Sequence, residues 1–301
     1  MTMRRPGRGR WTWCAALAAA LASIPALPAG EAAAFCRTTT CKGQDACNGE
    51  EIAGCTPLAW KRTCIGFALQ EDASEKVPLE DARASLSDAF YIWQSADCGG
   101  APPGLAIQDM GTVTCGEVEY NSEAGNANLM VFRDGVWPHE GGQHNIALTT
   151  VSYDPNTGEL YNADIEVNTA GYDFSGEFSY DLTWVLTHET GHFLGLGHSE
   201  PPAIMQPSYD PSQVGGPDLS PDDVAGICAA YPPADLDPGR CNPIPRHGFA
   251  PLCGDAQTPG CSVAPGEQRG SGSGQAVRAV IAGALAVVAA VVARAVRRAR
   301  T

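Results

Sequence analysis

Residues 187–199 read Thr-His-Glu-Thr-Gly-His-Phe-Leu-Gly-Leu-Gly-His-Ser. His188 and His192 are four apart, so on a helix both imidazoles leave the same face and can share one metal ion. Glu189 follows the first histidine, where its carboxylate can reach a water held by that metal. Gly195 stands three residues after His192; it lets the helix stop and the chain turn through positive φ, which returns His198 as a third ligand. Three neutral imidazoles with a fourth position open describe a catalytic zinc site, not a closed structural one. Glu189 is then the general base that takes a proton from the attacking water and later passes it to a leaving amine. A histidine pair of purely structural use is the competing reading. The glycine and third histidine at fixed offsets weigh against it.

The rest of the chain reads outward from this stretch. Residues 62–70 have the β-branched and aromatic content of a strand. Residues 78–95 place Leu79, Ala82, Leu86, Phe90 and Trp93 at three- and four-residue spacing, which predicts an amphipathic helix. Short strands are expected at 105–108, 117–120 and 129–133. Residues 146–153 and 159–167, separated by Asp154-Pro155-Asn156-Thr157-Gly158, predict a β-hairpin. A second helix is expected over 180–196, capped by Ser179 or Asp181. A third runs from Ser220 to about Tyr231, where Pro232-Pro233 ends it.

The flanks point to export. Residues 1–34 have a basic start, an apolar run from Trp11 to Leu27 and Ala32-Ala33-Ala34 before Phe35, as in a secretory signal; an N-terminal membrane anchor is the alternative. Of 12 cysteines, Cys14 falls in this leader, and the remaining density suits disulfides in an oxidising compartment. The remainder is odd in number, and Cys261 is the candidate left without a partner. Residues 35–61 form a cysteine-rich segment, 62–231 the metal-binding domain and 232–275 a Pro/Gly/Ser-rich linker. Residues 276–301 contain the uncharged run Ala279–Ala293 and a terminal Arg cluster, read as a membrane-spanning or sorting tail; a soluble Ala-rich helix is the competing reading. Residues 35–264 hold 9 basic and 32 acidic residues, a net charge of −23, which argues against nucleic-acid partners.

On residues 188–198 and Ser199 the sequence resembles the metzincin metalloproteases, and within them the matrixins. Ala203-Ile204-Met205-Gln206-Pro207-Ser208-Tyr209 is similar to the matrixin Met-turn, which makes Met205 a floor beneath the metal. Residues 219–227 resemble the start of that family's last helix, and Ala89–Trp93 the end of its first. The resemblance implies an α+β fold: a twisted, mostly parallel five-stranded sheet with three helices. It further implies a monomeric zinc endopeptidase acting on proteins or peptides, at the cell surface or released. Ala147–Thr150 would belong to an edge strand that pairs with an extended substrate.

Two departures stand out. The prodomain motif Pro-Arg-Cys-Gly is absent, and only His139 and His144 lie where a second, structural zinc would be held, so both are read as surface histidines. A structural Ca2+ has candidates in Asp154, Asp164 and Glu166, against the alternative of an exposed acidic strand. The alternative function is a surface binding or assembly module that keeps a zinc fold without turnover.

Overall fold

The computed structural model describes residues 35–140, 142, 144–175, 179–209, 216–236 and 241–252, together with the backbone of 277–281. Cys36–Thr38 (β1) and Asp45–Cys47 (β2) form a small antiparallel pair. Cys64–Gln70 (β3), Ala106–Val113 (β4), Leu129–Phe132 (β5), Ala147–Tyr153 (β6) and Leu160–Val167 (β7) build the main sheet. Its order is β4-β3-β5-β7-β6, with β6/β7 the antiparallel pair and the other three pairs parallel. Val277–Ile281 (β8) adds a sixth strand, antiparallel, along β6 at residues 149–153. Three helices complete the domain: Leu79–Gln94 (α1), Leu182–Phe193 (α2) and Pro221–Ala230 (α3).

The α+β architecture expected from the sequence is therefore present, and its local causes are visible. The α1 stripe of Ala82, Leu86, Ala89, Phe90 and Trp93 is buried. Phe90 stacks on Phe67 of β3 with centroids 4.7 Å apart and meets Phe193 of α2 edge-on at 5.0 Å. Those rings tie sheet, α1 and α2 into one core, where truncating one to alanine costs about 3–5 kcal/mol. Asp181, not Ser179, caps α2 by accepting from the Trp184 N–H at 3.0 Å. Ser220 and Asp223 form a reciprocal capping box at α3, with Pro221 in its first turn. The 154–158 turn closes as its residue types predict: Asp154 accepts from the N–H groups of Asn156 and Thr157, and Gly158 takes φ +67°.

Several expectations need correcting. Residues 117–120 are irregular and form no strand; they lead into a loop that Asn126 organises, accepting from Asn121 N–H and donating to the Asn121 and Ala124 carbonyls. The cysteine-rich segment carries β1 and β2, which its short length hid from periodicity. In the apolar tail, residues 279–281 lie in β8, while 282–293 fall outside the described residues. Among the described residues no helix is long and apolar enough to cross a membrane. Cys36–Cys47, Cys41–Cys55, Cys64–Cys241 and Cys98–Cys228 are bonded, and Cys115 is also disulfide-bonded. Cys261 lies outside the described residues, as does residues 1–34, the expected leader.

A candidate metal centre

The last two turns of α2 carry His188, Glu189 and His192, all fully buried. The helix ends at Phe193, and Gly195 turns the chain with φ +85°. A side chain there would also strike the Leu58 carbonyl, so conformation and space both require glycine. The turn brings half-buried His198 back over the helix. The three Nε2 atoms converge: His192 stands 3.1 Å from His188 and 3.3 Å from His198. Among the described residues this is the one group of three or more metal-ligating side chains found together.

The protonation pattern decides what these nitrogens can do. His188 Nδ1 donates to the Ile204 carbonyl at 2.7 Å, and His192 Nδ1 donates to the Leu196 carbonyl at 2.9 Å. A carbonyl only accepts, so each ring carries its proton on Nδ1 and turns a bare Nε2 lone pair inward. Two facing lone pairs at 3.1 Å repel unless a cation lies between them. Four nitrogens set tetrahedrally at about 2.0–2.1 Å from zinc would stand about 3.3 Å apart, the spacing seen here. Burial and the neighbouring histidines hold His188 down to about 3 and keep His192 well below the usual imidazole range, while burial lowers His198. All three are therefore neutral donors at neutral pH. Donor type, tautomer and spacing fit a zinc ion.

Glu189 lies beside this cluster. Thr149 of β6 donates to its Oε2 at 2.6 Å, and its Oε1 is buried with no hydrogen-bond partner. Burial pushes the carboxyl up to about 8, against the Thr149 hydrogen bond that pulls it down. One oxygen is thus fixed and the other is bare, a geometry suited to taking a proton. Sequence reasoning singled out Glu189 and missed Thr149, whose only signal was its place on the expected edge strand.

Met205 is almost fully buried beneath the site, with its sulfur against Gly191 of α2, where a Cβ would collide with it. Asp223 was also missed. Its carboxylate accepts from the backbone N–H of Ile204 at 2.8 Å, of Met205 at 3.1 Å and of Ser220 at 2.8 Å, and from the Ser220 hydroxyl at 2.7 Å. It clamps the turn whose Ile204 carbonyl orients His188. Trp93 Nε1 donates to the Thr187 carbonyl and Trp60 Nε1 to the Phe193 carbonyl, both at 2.8 Å, so the core indoles anchor α2 itself.

The acidic residues set aside for calcium do not meet. Asp154 closes its own turn and accepts from Tyr161 Oη at 2.8 Å. Buried Asp164 accepts from the Leu129 N–H and Asn162 Nδ2. Glu166 pairs with Arg133 Nε at 2.6 Å and His139 Nε2 at 2.8 Å. His139 is accordingly half-buried against Trp137 and not a surface histidine, whereas His144 is exposed.

The profile of the matrixin family matches residues 59–232. Metalloendoproteinase 1-MMP of Arabidopsis thaliana is 30% identical over 178 residues, covering 58% of this chain and 44% of its own length. Neutrophil collagenase of Homo sapiens is 25% identical over 193 residues, covering 61% and 37%. Matrix metalloproteinase-16 of Rattus norvegicus is 44% identical over 205 residues, covering 63% and 30%. The chain thus spans less than half the length of these curated relatives. With fold, metal-compatible histidines and more than half of the chain matched, the protein belongs to the matrixin family.

Proposed function

We propose that this chain is an exported zinc-dependent endopeptidase, with His188, His192 and His198 as ligands and Glu189 as general base. The observation that carries this reading is the convergence of three Nε2 lone pairs next to a buried carboxylate with one bare oxygen. A bound zinc would lower the pKa of a coordinated water from about 16 to about 7 and polarise a peptide carbonyl. Glu189 Oε1 takes the water's proton and returns it to the amine that leaves, while Thr149 holds Oε2 so that the carboxylate does not swing. Burial of Glu189 keeps bulk water from competing for that proton. An extended substrate would add along β6 near Ala147–Thr150, taking the place of β8, which pairs antiparallel with β6 at 149–153 and shows that this side accepts a strand. Met205 supports the histidines from below and takes no part in proton transfer.

The disulfides of the N-terminal segment and domain support export, since such bonds persist in oxidising compartments. Residues 1–34 would be the leader and 276–301 a tail that attaches the enzyme to the surface or is removed. The test is hydrolysis of a denatured protein by the full chain, with and without a zinc chelator, beside Glu189→Ala. The variant is expected to keep zinc and to lose about 10²- to 10⁴-fold in kcat. A folded, zinc-loaded parent that cleaves no substrate would leave the surface binding module as the better reading.

A further inference from the structure

We propose that the disulfide-closed hairpin of residues 36–47, which precedes the matrixin match, is a brace that positions His192 and His198 and sets how firmly the centre retains zinc. The proposal rests on the zinc reading above. It starts from the connection between the second and third histidines, residues 194–197, whose Gly195 and Leu196 N–H groups donate back to the His192 and Gly191 carbonyls of α2 and which is not itself helix or strand. β1 adds a further hold. The Thr38 N–H donates to the Gly195 carbonyl at 3.1 Å, the Gly197 N–H donates to the Cys36 carbonyl at 2.8 Å, and Arg37 bridges Leu196 as an antiparallel partner. Residues 195–197 are thereby held against β1 by an isolated antiparallel bridge centred on Leu196.

Two side chains carry the brace to the imidazoles. The Thr38 hydroxyl donates to the Leu196 carbonyl at 3.2 Å, the same oxygen that accepts from His192 Nδ1 at 2.9 Å. Thr38 therefore fixes the acceptor that sets the tautomer and ring angle of His192. From β2, Asp45 lies beside Gly197, the residue before His198, with its Oδ2 2.7 Å from where a Cβ on that glycine would stand. The Cys36–Cys47 bond joins the two strands at the first register pair, so neither side chain can leave without the other. Cys41–Cys55 closes a loop that contains β2, but neither of its cysteines bonds to 195–198, and without it the Cys36–Cys47 bond still joins the two strands. Thr38 and Asp45 are positioning residues: they touch no reacting atom and act through the ligands.

The test is zinc transfer from the loaded full chain to a chromogenic chelator at neutral pH. Thr38→Val keeps the shape and removes the hydroxyl; it is expected to release zinc about tenfold faster, and Thr38→Ser to restore the parent rate. The Cys36→Ala/Cys47→Ala pair is expected to release zinc about tenfold to a hundredfold faster, and Cys41→Ala/Cys55→Ala to stay near the parent. Parent-like release from both Thr38→Val and the Cys36/Cys47 pair overturns the brace, as does a Thr38→Ser variant as fast as Thr38→Val. Should the cysteine pair fail to fold, the valine and serine variants decide the matter. A parent that holds zinc yet hydrolyses nothing sinks the protease reading and leaves the brace standing; a parent that binds no zinc overturns both.

Discussion

At the metal centre three buried or half-buried imidazoles turn unprotonated nitrogens toward one another, whereas at Glu166 a buried carboxylate is met by Arg133 and His139. Both regions gather titratable groups away from water, where an uncompensated charge is costly. In the second, the Arg133 guanidinium pairs with the carboxylate and the His139 imidazole hydrogen-bonds to it. The first has no such pairing among the described residues: its donors converge on one another, and a metal would complete it. Convergence without compensation is thus the mark of an ion site here, and acidity alone is not. This is why the acidity of the body, with 32 acidic residues, names no ion by itself, while the three histidines offer a donor group that fits zinc.

The largest effect should separate the two regions outright. His192→Ala removes a ligand, so bound zinc and peptide hydrolysis should both fall below detection, whereas His139→Ala should leave both in place; zinc analysis beside an activity assay reads the contrast. Next is the support beneath the histidines. Asp223→Ala leaves the N–H groups of Ile204 and Met205 without an acceptor in a buried turn, at a cost of about 3 kcal/mol or more, read by urea unfolding of the metal-free protein. Glu166→Gln should cost about 1–3 kcal/mol through the weakened pair with Arg133, with zinc content unchanged. Loss of zinc in that variant would erase the distinction between the two regions.

The smallest change sharpens the catalytic half. The Thr149 hydroxyl stabilises the charged form of Glu189, so Thr149→Val should raise that carboxyl further. The base is then deprotonated only at higher pH, and the acid limb of the pH–rate profile should move upward. About tenfold of kcat should be lost near neutrality while zinc is retained. An unmoved acid limb would mean that Glu189 does not limit the reaction there.

Much of this was legible in order along the chain. Spacing alone placed His188, Glu189, His192 and His198, because helix periodicity and a glycine stop are local rules. The same held for α1, for the β6/β7 hairpin and for the Ser220 cap. Thr149, Asp223 and Thr38 were not legible, since each acts through a contact 18 to 158 residues away in sequence, and a lone Thr or Asp carries no local pattern. The 36–47 hairpin escaped for a second reason: strands of three residues are too short to show alternation. Calcium was not legible because composition reports how many carboxylates exist, and geometry decides whether they share an ion or accept from turns and backbone N–H groups, as Asp154 and Asp164 do.

The most direct test of the account is X-ray absorption at the zinc edge of the full chain, with metal content measured on the same sample. The account predicts one zinc per chain with three imidazole nitrogens and one oxygen donor, all at about 2.0–2.1 Å, and no sulfur. A sulfur contribution at about 2.3 Å, or a chain that takes up no stoichiometric zinc, would contradict it.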